Sequence, residues 1–103
     1  MKKIIDGKTY NTETATLIAN WDNGCYGNDF NACEESLYVS PKGTYFLAGE
    51  GGALSKYAQS VGSNGRCGGE GMEVLSKAEA LKWCEEHDVD ADTIATHFEV
   101  EEG

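Results

Sequence analysis

The sequence predicts an α+β domain, with an antiparallel β-sheet of about four to five short strands first and one or two α-helices at the C-terminal end. Three observations predict it. Short β-branched and aromatic runs, punctuated by Asp-Gly and Pro-Lys-Gly turns, occupy the N-terminal part. Helical apolar spacing behind a capping-box signature occupies the C-terminal part. A chain of 103 residues, 40% hydrophobic, suits one core, so residues 1–103 read as a single small acidic domain.

The elements follow in order. Lys3–Ile5 and Lys8–Tyr10 flank Asp6-Gly7, the preferred two-residue turn, and form a small hairpin. Residues 14–21 alternate, with Ala15, Leu17, Ala19 and Trp21 on one face of a strand, which Asp22-Asn23-Gly24 stops. DNGCYGNDFNAC (22–33) is turn-rich and reads as a long loop. Ser36–Ser40 and Thr44–Ala48 flank Pro41-Lys42-Gly43 and make a second hairpin. Leu54–Ser60 has the makings of a short helix, 61–71 of a glycine-rich loop, and Met72–Leu75 of a further strand. Ser76-Lys77-Ala78-Glu79 then opens a helix to about His87, whose buried stripe is Ala80, Leu81, Trp83 and Cys84. Asp90 or Asp92 caps a second helix with Ile94, Ala95 and Phe98 inward, and the chain from Val100 reads as an acidic tail.

Few residues in this pattern carry chemistry. GEGGALSKYA (49–58) has the glycines of a phosphate loop but not the order: Ser55 precedes Lys56, no glycine stands directly before the lysine, and Glu50 would repel phosphate. A dinucleotide fingerprint fails at Leu54. The glycines read instead as backbone punctuation, permitting positive φ or close packing as the chain turns. A nucleotide or small-molecule binder using 49–56 is the weaker alternative. Cys25, Cys33, Cys67 and Cys84 contain no CxxC pair, so zinc would require four thiolates converging from separate segments; a zinc-stabilised interaction module is the first alternative. A Cys84–His87 pair has the i, i+3 spacing of a nucleophile and base, but Cys84 lies on the predicted apolar stripe. The expectation is a chain that is not an enzyme and has no required cofactor.

Charge is the strongest signal. Eighteen acids oppose eight Lys and Arg, for a net charge of −10, and residues 70–103 carry eleven of the acids against two lysines. Such a chain is repelled by nucleic acid and anionic membranes and attracted to basic proteins. On the first helix Glu79, Glu86 and, one residue off, Glu85 project away from the apolar stripe, and Asp88, Asp90 and Asp92 extend the row through the turn between the helices. Helical neighbours stand about 5–6 Å apart at Cβ, close enough to the charge spacing of a duplex to imitate its backbone. The same carboxylates also serve solubility, and both readings stand. The N-terminus has no signal-peptide apolar region and no run is long enough to span a membrane, so a cytoplasmic chain with reduced thiols is expected.

Two stretches, LY-x(6)-YFLAGEGGALSKYA (37–58) and LSKAEALKWCEEHDVDA (75–91), resemble small proteins of phages, prophages and other bacterial mobile elements. The resemblance covers most of the chain. It implies an accessory protein acting in the bacterial host cell, of a class that includes anti-CRISPR and anti-restriction inhibitors, and it implies no catalytic residue. The expected function is thus an acidic, non-enzymatic inhibitor that binds a basic nucleic-acid-binding protein such as a CRISPR effector, with DNA mimicry as the mode of binding.

Overall fold

The structure is a computed structural model and describes residues 1–24, 30–61 and 65–98, with the side chains of 61 and 66 left aside. Among these, eight strands and two helices form an α+β fold. β1 (Lys2–Ile5) and β2 (Lys8–Asn11) make the first hairpin; Ile5 pairs with Lys8 across Asp6 and Gly7, both at positive φ. Two such residues side by side give the turn whose twist matches a two-residue hairpin.

The main sheet has four antiparallel strands in the order β3 (Thr16–Asp22), β4 (Cys33–Val39), β5 (Tyr45–Gly51) and β8 (Gly69–Leu75). Between β5 and β8 the chain makes an excursion through a two-stranded ladder, β6 (Gln59–Val61) with β7 (Gly65–Cys67). The glycine-rich segment expected as a loop therefore contains β7 and the start of β8. The helix expected over 54–60 does not form. Ser55 Oγ donates to Gly52 O at 2.7 Å and accepts from Tyr57 N at 3.2 Å, which diverts the backbone into turns before β6 begins at Gln59.

β3 departs from the predicted alternation. Leu17 pairs with Tyr38 but Ala19 with Leu37, so Ile18 is an extra residue in a β-bulge. The bulge buries Ile18 and leaves Leu17 45% exposed, while Ala19 and Trp21 stay half-buried on the core side. The second hairpin is as expected, with Pro41-Lys42-Gly43 at its tip and Gly43 at φ +87°. Its first strand reaches back to Cys33, so the end of the predicted loop is strand; residues 25–29 of that loop lie outside the described residues.

Each face of the sheet is covered by a different element. On one face Ile18, Leu37, Leu47 and Leu75 pack with Ala80, Trp83 and Cys84 of α1 (Lys77–Glu86) and with Phe98, which follows α2 (Ala91–His97). On the other face Tyr10 of β2 meets Phe46, ring centroids 5.4 Å apart, and Tyr38 stacks on the same ring at 5.3 Å. The capping box of α1 is present: Ser76 Oγ accepts from Glu79 N at 3.1 Å and Glu79 Oε1 accepts from Ser76 N at 3.0 Å. α1 ends with Val89 N donating to Cys84 O at 3.0 Å and Asp88 at φ +52°, an αL cap in which aspartate stands where glycine is usual. Asp90 holds the N-cap position of α2 without a side-chain hydrogen bond, and Ala95, expected inward, is exposed. The predicted acidic tail beyond Phe98 lies outside the described residues. No described helix is long and apolar enough to cross a membrane.

Candidate functional site

Alternation along β4 turns Cys33, Glu35 and Leu37 to the helix-bearing face and Glu34 and Ser36 to the other. Glu35 is thereby carried inside, 3% exposed. A carboxylate there requires partners, and glycines make room for them. Glu35 pairs across the sheet with Gly49, and Gly49 with Gly71. A Cβ on Gly49 would stand 2.1 Å from the Tyr57 ring, and one on Gly71 3.3 Å from it. The glycines of GEGG are therefore strand residues that clear a bed for Tyr57. Of the two roles expected for them, close packing holds at Gly49; the turn does not, since β5 runs to Gly51.

Tyr57 lies across that bed and donates its hydroxyl hydrogen to Glu35 Oε2. Lys56 Nζ reaches the same oxygen at 2.9 Å, and Trp83 Nε1 donates to Oε1 at 3.4 Å. His87 Nε2 stands 3.9 Å from Oε1, and its ring lies against Trp21 and Trp83 with centroids 4.5 and 4.6 Å away. His87 Nδ1 is 2.7 Å from Trp83 O. A carbonyl only accepts, so Nδ1 carries a hydrogen and Nε2 is the nitrogen turned to Glu35. Burial pushes the Glu35 carboxyl upward, but the bonds from Tyr57, Lys56 and Trp83 outweigh it, so the group sits below its ordinary range and stays ionised. Burial and the adjacent carboxylate push the Tyr57 phenol strongly upward, so it stays a donor.

A fully engaged carboxylate is a clamp and not an available base. It ties β4, the segment after β5 and α1 together. The two thiols nearest this core are equally inert: burial, then Glu35, raises Cys33, and burial, then Glu85, raises Cys84. Cys67 is half-buried in β7, and Cys25 lies outside the described residues. Among the described residues no group of three or more His, Cys, Asp or Glu is placed to hold a metal ion.

The six acids expected to form a binding face are all exposed. They are not equivalent. Glu79 closes the capping box, and the Ser76 backbone and hydroxyl hold it below the ordinary carboxylate range. Asp90 and Asp92 sit at the start of α2, where the helix dipole favours an anion. Glu86 lies 3.8 Å from Lys82 on the same helix. Glu85 and Asp88 take no part in an ion pair among the described residues.

A second acidic row comes from the sheet. Asp22 pairs with Glu34, Glu34 with Glu50, and Glu50 with Glu70, so four acids stand side by side across four strands, on the face opposite the helices. Asp22 Oδ1 accepts from Gly24 N at 2.8 Å. Charges of like sign directly opposite one another cost stability, so folding alone does not favour this row. The signal that could have found it is parity: Glu34 and Glu50 occupy outward positions of facing strands.

Comparison with protein-family models, with curated proteins and with solved structures returns no match.

Proposed function

We propose that the chain is a non-enzymatic acidic inhibitor, of phage or mobile-element origin, that binds a basic nucleic-acid-handling protein of host defence such as a CRISPR effector. Its carboxylates take the place of phosphates in that protein's groove. The observation that supports this reading is the exposure of Glu79, Glu85, Glu86, Asp88, Asp90 and Asp92 along α1 and into α2, with Lys82 their one ion-pair partner among the described residues. The row Asp22–Glu34–Glu50–Glu70 adds a repeat of about 4.7–4.9 Å, the spacing of neighbouring strands. A duplex strand advances about 3.4 Å per phosphate along its axis, so the spacing of both acidic arrays is larger than that rise but within about a factor of two of it.

An array of this kind associates quickly and weakens with salt. The partner is to be captured from nuclease-treated host lysate at low ionic strength, released at high ionic strength, and purified. A variant carrying Glu85→Lys, Glu86→Lys, Asp88→Lys and Asp90→Lys should then lose binding while keeping its circular dichroism. Unchanged affinity in that variant overturns the proposal, as does a captured protein without a basic nucleic-acid-binding surface.

A further inference from the structure

The same acidic chain has a basic slot that this function leaves unused. A cavity of about 790 Å3 runs along the whole of β2, residues 8–11, and is walled opposite by the β4–β5 connection at Ser40 and Lys42. That is the volume of a ligand site. Among the described residues Lys2, Lys8 and Lys42 line it, no acid does, and none of the three lysines forms an ion pair. In a chain with eighteen acids and eight bases, a cavity with three lysines and no acid is a departure from the surrounding field. The wall itself is distinctive. Among the described residues β2 pairs with β1 alone, so its other edge meets no strand; of the groups there, Asn11 O already accepts from Thr14 N and Ala15 N, which leaves the edge open up to the Asn11 amide.

We propose that this slot takes an extended acidic peptide segment as a third strand beside β2. Main-chain pairing along the open edge supplies the affinity, and carboxylates on alternate residues meet the lysines. The lysines also reject uncharged and basic strands, which protects the edge from indiscriminate pairing. A bare phosphate suits the wall less well, because the edge presents carbonyl oxygens as well as amides and an anion faces both. The site lies apart from α1 and α2, and its partner has the opposite charge from the one proposed above.

The test uses the full chain, labelled with 15N, titrated with a blocked peptide of alternating glutamate and valine. Saturable amide shifts confined to 8–11 and 40–44, with slowed hydrogen exchange in β2, are expected. The double variant Lys8→Glu, Lys42→Glu, both surface positions, should bind about tenfold or more weakly, and the matching lysine–valine peptide should not bind. Three results overturn the proposal: no saturable shifts, equal binding by the double variant, or the same amides moved as far by inorganic pyrophosphate alone, which would make the slot a plain anion site.

Discussion

Replacing Glu35 with glutamine tests whether the buried carboxylate holds the fold together. The substitution keeps the shape and removes the charge. Tyr57 and Trp83 each lose a charge-assisted bond; such bonds contribute about 1.5–3 kcal/mol against about 0.5–1.5 for neutral ones, so two of them are worth about 2 kcal/mol. Lys56 is 56% exposed and hydrates freely once released, so its share is discounted to a few tenths. One amide also cannot accept on both of its arms, and one of the buried donors is left poorly matched. The expected loss is about 2 kcal/mol at neutral pH, or roughly 8–16 °C in Tm for a domain of this size. The pH dependence carries a sign. Because the folded carboxyl lies below its ordinary value of 4.5, the stabilisation is complete above that value and disappears as pH falls through the folded one. Urea melts of both proteins at a series of pH values should therefore show a gap that is constant near neutrality and narrows under acid. Equal midpoints at neutral pH, or a gap that persists unchanged in strong acid, would refute the reasoning.

Other expectations follow from neighbouring features. Gly49→Ala drives a methyl to within 2.1 Å of the Tyr57 ring; overpacking of this kind costs about 1–3 kcal/mol, read as a lower melting temperature. Glu50→Lys replaces the central rung between Glu34 and Glu70. It should raise stability by about 0.5–1 kcal/mol at low ionic strength, and the gain should fade in molar salt, where screening is short-ranged; melts at two salt concentrations decide it.

Local patterns read well from the sequence wherever a single element is self-sufficient. Asp6-Gly7, Pro41-Lys42-Gly43 and the Ser76 capping box all act within a few residues, and each forms where expected. The stripe of α1 also holds, because one helix face meets one sheet. The features that residues 1–103 do not announce locally depend on register between strands. The bulge at Ile18 inverts the expected burial of Leu17, and nothing in residues 14–21 alone announces it. Glu35 looks like an ordinary acid until β4 is extended back to Cys33, which places it on the same side as Leu37. The row through Glu34, Glu50 and Glu70 requires the order β4-β5-β8, and that order skips two strands of the chain. The helical acids were legible as exposed positions, but the capping duty of Glu79 divides them more finely than charge alone suggested.

Ser76 is the whole connection between β8, which ends at Leu75, and α1, which begins at Lys77. A single residue bonded at both its amide and its hydroxyl leaves no hinge. α1 therefore moves with the sheet as one body, and the backbone that carries its carboxylates holds a fixed position relative to β8. A contact made on α1 would order side chains only, with no backbone hinge to be frozen on this side of the interface.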